Sequence, residues 1–92
     1  MNLRQIFGAR VRRGRMALGM SQQDLAKVTL IPYPTLSRIE HGEQSLYYER
    51  VIELADALQV STDYLLNRTD DPTPPKRQRV RNQVMAAFHA AS

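Results

Sequence analysis

The sequence contains no cysteine and no tryptophan, and only two of its 92 residues are histidines. Without cysteine, the chain cannot depend on disulfides, bind zinc through thiolates or use a thiol for redox chemistry. The two histidines, His41 and His89, lie far apart in the sequence, which makes a metal cluster a poor interpretation. We therefore expect neither a metal nor a cofactor.

Long apolar runs are absent as well. No stretch approaches the ~20 apolar residues that a membrane-spanning helix needs, and none follows the basic N-terminal residues in the manner of a signal peptide. The sequence has no P-loop, nucleophile elbow or dinucleotide-binding fingerprint, so catalysis has no support. We expect a soluble, cytoplasmic, non-enzymatic protein with one small domain, alone or followed by a tail.

The net charge of +4 is distributed unevenly along the chain. Residues 1–20 carry five arginines and no acidic residue, and residues 76–92 carry four basic residues and no acidic one. All nine acidic residues lie between them. Two basic ends around an acidic middle suggest an anionic polymer as the partner.

Apolar spacing and capping residues predict five helices between residues 2 and 67. Gly19 ends the first helix, Ser21 caps the second and Ser61 caps the fifth. The third begins at Pro32, because proline is tolerated in the first turn of a helix. The predicted apolar face of the first helix comprises Leu3, Phe7, Val11 and Leu18. That of the fourth helix comprises Tyr48, Val51, Ile52, Ala55 and Leu58.

Three short motifs follow one another: S-Q-x-x-L-A at residues 21–26, I-E-x-G at residues 39–42 and V-S-x-D-x-L-L at residues 60–66. In this order they resemble the lambda-repressor-like (Xre/Cro) helix-turn-helix family, over roughly residues 6–67 without a gap. The resemblance implies an all-α, five-helix DNA-binding domain over residues 1–69, with the helix-turn-helix at about residues 22–41. The implied partner is double-stranded DNA.

The resemblance also implies a set of DNA-contacting residues. It puts the third helix in the major groove, where base edges present distinguishable hydrogen-bonding patterns. Arg38 is the strongest candidate for base readout, because arginine pairs bidentately with guanine. An ion pair between Arg15 and Glu40 would orient the first helix against the third. The residues implied for base readout are Tyr33, Pro34, Ser37 and Arg38, and those implied for phosphate contact are Arg15, Ser21, Gln22 and His41.

Three places depart from the family pattern. Leu30 stands in the turn where glycine is usual, so it must adopt left-handed backbone geometry or form another turn. Pro32 replaces the usual cap serine of the third helix. Residues 43–45, Glu-Gln-Ser, follow that helix where relatives often carry basic residues. Phosphate neutralisation must then come mainly from the first helix and from the tail.

The C-terminal part has a different composition. Residues 70–75 contain three prolines and two acidic residues, which indicates a linker. Residues 76–92 are basic and can form a helix with Val80, Val84 and Phe88 on one side. Three interpretations stay open for this segment: a dimerisation helix, a basic arm on DNA, or a docking segment for another protein such as a partner toxin.

These features predict a sequence-specific transcriptional regulator, and more specifically a repressor that binds a pseudo-palindromic operator as a homodimer. Its half-sites would lie about one helical turn, ~34 Å, apart. Such a protein would be cytoplasmic and associated with the nucleoid when bound to DNA. The alternative is an antitoxin-like or coactivator-like interaction module whose main partner is another protein.

Overall fold

The computed structural model describes residues 1–75, which form five helices and no strand. This confirms the predicted all-α, five-helix fold; the C-terminal extension predicted over residues 76–92 lies outside the described residues. No helix in the described part is long and apolar enough to cross a membrane. The helices are α1 (Leu3–Ala17), α2 (Gln22–Thr29), α3 (Tyr33–Glu40), α4 (Tyr48–Leu58) and α5 (Thr62–Leu65).

Side-chain caps fix where three of the helices begin. The Ser21 hydroxyl accepts a hydrogen bond from the Asp24 N–H, and the Asp24 carboxylate accepts one from the Ser21 N–H, each at 3.0 Å. These bonds stabilise the carboxylate and lower the pKa of Asp24. Asn2 and Gln5 form a second capping box at the start of α1, and Ser61 caps α5. These caps are local contacts, so they set where α1, α2 and α5 begin independently of tertiary packing.

The core lies where α1 packs against α3, α4 and α5, while α2 packs against α3 and α4. Burial of these apolar side chains is the main favourable contribution to folding. The side chains that are fully or almost fully buried include Val11, Leu25, Leu36, Ile39, Leu54, Leu58 and Leu65.

The predicted apolar faces were partly wrong. Leu3 and Leu18 are exposed, because Leu3 lies in the first turn of α1 and Leu18 lies beyond its last turn. Tyr48 and Ile52 are also exposed, since the buried residues of α4 form a narrower stripe beside them. Gly14 was predicted to interrupt the apolar face of α1, yet it is buried against the Leu58 side chain.

The helices α1 and α3 approach each other closely at Gly8. A Cβ atom at this position would overlap the backbone carbonyl oxygen of Ile39 and lie 2.9 Å from that of Glu40. Only a residue without a side chain permits this backbone contact. Gly8 therefore determines how closely α1 supports the C-terminal end of α3.

The turn between α2 and α3 contains a leucine in the left-handed conformation. Leu30 has φ 60° and ψ 19°, and its side chain points away from the core, with 79% of the residue exposed. The next residue, Ile31, is buried. The Thr29 hydroxyl supports the turn, because it donates to the Leu25 carbonyl at 2.8 Å and accepts from the Ile31 N–H at 3.3 Å.

The residues after α5 are attached to the helices by Arg10. Its guanidinium donates to the carbonyl oxygens of Tyr64 and Thr69, each at 2.6 Å, and to the Asp70 carboxylate at 2.9 Å. It also lies 4.5 Å from the centre of the Tyr64 ring. Pro72 accepts a hydrogen bond from the Ser61 N–H. The first half of the predicted linker is thus bound to the helical domain.

Candidate nucleic-acid interface

One side of α3 faces solvent and the other faces the core. Leu36 and Ile39 are completely buried, whereas the opposite side is polar and accessible. This accessible side, with the residue that follows the helix, holds the α3 residues predicted to contact DNA. We call it the reading face; Tyr33, Pro34, Arg38 and His41 are exposed on it, and Ser37 is half-buried.

The start of α3 is unusual because no side chain caps it. Pro32 occupies the cap position with φ −57° and ψ 142°, and Pro34 follows in the first turn. Proline has no N–H, so it leaves one fewer backbone donor to satisfy at a helix start. The same property reduces the number of backbone donors that this end of α3 can offer to a phosphate.

Arg15 and Glu40 form a two-point ion pair that connects α1 to α3. Arg15 Nε donates to one Glu40 carboxylate oxygen at 2.7 Å, and Nη2 donates to the other at 2.9 Å. The Arg15 side chain is 13% exposed and that of Glu40 only 3%. The hydrogen bond to Glu40 raises the pKa of Arg15, so this guanidinium keeps its charge.

Two more hydrogen bonds extend this ion pair into a network. Arg15 Nη1 donates to the Met20 carbonyl at 2.8 Å, and Gln22 Nε2 donates to the Glu40 carboxylate at 3.0 Å. Because Gln22 is the first residue of α2, the buried Glu40 carboxylate joins α1, α2 and α3. The network holds the two helices of the helix-turn-helix at a fixed relative orientation.

The residues predicted to contact phosphates differ in how accessible they are. Gln22 is half-buried and uses one amide N–H on Glu40, which leaves the other N–H and the carbonyl oxygen. Arg15 is largely enclosed and already uses three of its N–H groups. Ser21 is exposed. His41 Nδ1 lies 2.6 Å from the Ser37 carbonyl, so Nδ1–H donates there and Nε2 takes no part in that bond.

The arginines of α1 serve different purposes. Arg10 and Arg15 are engaged in contacts within the domain, as described above. Arg4, Arg12 and Arg13 are exposed and form no ion pair with any residue from 1 to 75. These three supply the accessible positive charge of the helix. The loop after α3, with Glu-Gln-Ser at residues 43–45, adds no positive charge.

Sequence reasoning missed two functional contacts. The hydrogen bond from Gln22 to Glu40 joins residues that the sequence pattern had assigned separate roles. The contacts of Arg10 were missed because this residue lies outside the predicted apolar face of the first helix. No local signal indicates either contact, since each depends on how distant segments pack. The predicted dimer residues Val80, Val84 and Phe88 lie outside the described residues.

The comparisons with known proteins agree with this geometry. The Helix-turn-helix family model matches residues 11–65, whereas no curated protein matches the chain. The restriction-modification controller protein C.AhdI from Aeromonas hydrophila is 29% identical, with a TM-score of 0.64 over 67% of this chain and 94% of that one. The clp gene regulator ClgR from Corynebacterium glutamicum is 27% identical, with a TM-score of 0.66 over 72% of this chain and 86% of that one.

A third solved structure shares the fold. The hypothetical transcription factor NHTF from Neisseria is 24% identical, with a TM-score of 0.67 over 87% of this chain and 84% of that one. The family match spans more than half of the chain and includes α2, the turn and α3. The chain therefore belongs to the helix-turn-helix family, of the lambda-repressor-like type that its sequence motifs resemble.

Proposed function

We propose that this protein is a sequence-specific transcriptional repressor that binds a pseudo-palindromic operator as a homodimer. The observation that carries the proposal is the reading face, an accessible polar surface on a helix whose other side is completely buried. An α-helix of this width fits the major groove of B-DNA. The buried Glu40 network keeps α3 in one orientation, which specific docking requires.

Four side chains of the reading face contact base edges in this proposal. Arg38 donates two hydrogen bonds to the O6 and N7 atoms of a guanine. Ser37 and Tyr33 supply hydroxyl groups, and Pro34 offers only apolar contact, for which the methyl group of a thymine is suited. Arg38 is exposed and has no ion-pair partner among residues 1–75, so binding DNA breaks no ion pair within the domain.

The flanks of the reading face contact the phosphates. Gln22 and Ser21 lie at the start of α2, where the helix end favours an anion. His41 follows the last residue of α3. Its Nε2–H donates to a phosphate when the ring is protonated. The enclosed Arg15 contributes mainly by orienting Gln22 through their shared partner, Glu40.

Regulation as the biological role is supported by the named relatives, a restriction-modification controller protein and a clp gene regulator. A homodimer accounts for a pseudo-palindromic site, because two-fold symmetry in the protein matches two-fold symmetry in the operator. Within the described residues, Tyr48 and Ile52 of α4 and the preceding Tyr47 are exposed, and a second protomer would cover them.

Selection of bound sequences from a random DNA pool tests the proposal directly. We expect an inverted repeat whose half-sites are separated by about 10 base pairs. The affinity for the selected site should fall steeply with salt and exceed non-specific affinity by about a thousandfold or more. Weak, sequence-blind binding together with tight co-purification of another protein would instead identify an interaction module.

Arg38 gives the sharpest test at a single residue. We expect Arg38→Ala to weaken binding to the selected operator by about 1–3 kcal/mol and to relax the preference at one base pair of each half-site. The matched control is Arg12→Ala, which removes an exposed arginine that is not on α3. The control should leave the base preferences unchanged. Equal losses on specific and random DNA for Arg38→Ala would reassign this residue to a phosphate.

A further inference from the structure

An apolar groove of about 290 Å³ opens between the start of α1, the loop after α3 and the residue that follows α5. Phe7 and Val51 are its buried residues, and Leu46 is half-buried. The exposed side chains of Leu3 and Leu66 complete its apolar lining. None of these residues takes part in the reading face or in the Glu40 network, so the proposed DNA contacts leave the groove unexplained.

Exposed apolar residues continue directly from the lining of this groove. Tyr47 follows Leu46 in the chain, and Ile52 follows Val51. Tyr48 lies about one helical turn before Ile52, so these two residues share a side of α4. A continuous apolar surface of this kind marks a contact site. We call it the groove patch; its exposed apolar residues are Leu3, Tyr47, Tyr48, Ile52 and Leu66.

The size of the groove patch fits a second copy of this chain. A stable protein interface covers about 800 Å² on each partner, of which somewhat more than half, about 450 Å², is apolar. Tyr47 and Tyr48 are both largely exposed and together offer about 300 Å². The remainder comes from the partly exposed aliphatic side chains of Leu3, Ile52 and Leu66. The apolar area therefore reaches what a stable dimer needs.

Tyr47 is the side chain best placed to fill the groove of a second copy. It is 84% exposed, so it does not occupy the groove of its own protomer, although it is bonded to the lining residue Leu46. A two-fold axis makes every contact between two protomers occur twice. A side chain beside its own groove can therefore exchange with its counterpart close to such an axis.

The groove also offers partners for a tyrosine hydroxyl. Gln44 and Ser45 line it beside the apolar residues, and both side chains can accept a hydrogen bond from a phenol. A buried tyrosine usually finds such a partner for its O–H. Arg4 also lines the groove but is exposed, so its charged end can stay in water while its stem contacts the ring. An aromatic ring with one polar end thus matches the groove.

We propose that two copies of this chain pair through the groove patch, and that Tyr47 of each protomer inserts into the groove of its partner. The inference rests on the homodimer of the proposed function and names the surface and the side chain that form it. The groove patch shares no residue with the reading face, so pairing uses none of the side chains proposed to read bases.

Cross-linking between two different single-cysteine chains tests the proposal, because the native chain has no cysteine. Full-length Tyr47→Cys and Leu66→Cys chains, one of them enlarged by a tag, are produced together and oxidised without DNA. We expect mixed disulfide-linked dimers with a yield about tenfold above that of the matched pair Val28→Cys and Leu66→Cys. Val28 is exposed on α2, outside the groove patch. Leu3→Cys repeats the measurement from the other rim if Leu66→Cys disturbs folding.

Sedimentation of the full-length protein without DNA gives a second measurement. Tyr47→Ala should weaken dimerisation by about tenfold or more, because a central aromatic side chain carries much of the binding energy of an interface. Tyr47→Phe, which loses only the hydroxyl, should weaken it less. Val28→Ala is the matched control and should leave dimerisation unchanged.

The possible failures of this inference and of the proposed repressor are distinguishable. A dimeric wild type without mixed cross-links above the control, or a Tyr47→Ala variant that dimerises like the wild type, would overturn the inference and assign the groove to another partner. A monomeric wild type would overturn it together with the homodimer. Failure to select a specific operator would count against the repressor alone, since neither measurement uses DNA.

Discussion

Gly8 and Gly14 both lie within α1, but their surroundings differ. At Gly8 a methyl group would meet the backbone carbonyls of Ile39 and Glu40, which cannot move without shifting α3. At Gly14 the nearest atom to a new methyl group would be Leu58 Cβ, at 3.5 Å, which is an ordinary van der Waals distance. The sequence shows two glycines in a helix; only the packing distinguishes the one that is required.

We therefore expect opposite effects from the same substitution. Gly8→Ala should lower the free energy of unfolding by about 3 kcal/mol, because the helices must separate. Gly14→Ala should raise it by about 0.5–1 kcal/mol, because alanine loses less conformational entropy in a helix. Urea denaturation of both variants measures the difference. A loss of stability in both would show that the site around Leu58 cannot accept a methyl group.

Leu30 carries a conformational cost that glycine would not. Its positive φ costs a side-chain-bearing residue about 1–2 kcal/mol, and its exposed side chain recovers little by burial. We expect Leu30→Gly to raise the free energy of unfolding by about 1 kcal/mol. Leu66→Gly is the matched control, since Leu66 also follows a helix but has φ −89°. The control should be destabilised, and stabilisation of both would contradict the conformational explanation.

The sequence predicted the alternatives at Leu30 but could not choose between them. Left-handed geometry and a different turn were equally compatible with a leucine at that position. The choice depends on the burial of Ile31 and on the hydrogen bonds of the Thr29 hydroxyl. Both are properties of the packed turn, which local sequence patterns do not contain.

At the scale of elements, three helices meet at one buried carboxylate. Glu40 accepts hydrogen bonds from Arg15 of α1 and from Gln22 of α2, while belonging to α3. A buried ion pair gives little net stability compared with apolar residues of similar size, but removing one partner leaves the other charge unpaired. The network is therefore better understood as fixing an orientation than as a large source of stability.

If the network fixes an orientation, substitutions at Arg15 and Glu40 should change the free energy of unfolding non-additively. Glu40→Ala should lower the free energy of unfolding by about 3 kcal/mol, because the enclosed Arg15 loses its partner. The double variant Arg15→Met with Glu40→Leu should lose less than Glu40→Ala alone. Denaturation of Arg15→Met, Glu40→Leu and the double variant that combines them provides the cycle. Additive losses would mean that the two charges act independently.

The elements themselves were predictable, because their signals are local. The capping residues Ser21 and Ser61 and the helical spacing of apolar residues predicted all five helices. Which residues of each helix are buried was less predictable. Ile52 fits the helical spacing of α4, yet it lies beside the buried stripe and is exposed. The roles proposed for the reading face remain predictions.

At the scale of the whole molecule, the distribution of charge predicts where the DNA backbone is neutralised. The loop after α3 offers no basic residue, so exposed arginines on α1 and the basic C-terminal residues must supply the charge. Each phosphate contact contributes about 0.9 to the slope of log affinity against log salt. The slope therefore counts the contacts that each segment makes.

Two multiple variants separate these contributions. Replacing Arg4, Arg12 and Arg13 by glutamine should make the salt slope shallower by about 2–3. Replacing Lys76, Arg77, Arg79 and Arg81 by glutamine should change the slope less, because these residues follow Pro75, which lines a recess with the exposed acidic residues Asp63 and Asp71. Titration of operator binding with potassium chloride measures both slopes. A larger change in the C-terminal variant would identify that segment as a basic arm on DNA.

The contacts of Arg10 also have a consequence for the order of folding. They join residues 54 to 60 positions apart, whereas the helix-turn-helix is built from neighbours in sequence. Closing a long loop costs entropy that local contacts do not pay, so long-range contacts form later on average. A chain emerging from the ribosome would therefore complete α2 and α3 first. Its first helix would gain its last partners only after Asp70 has been synthesised.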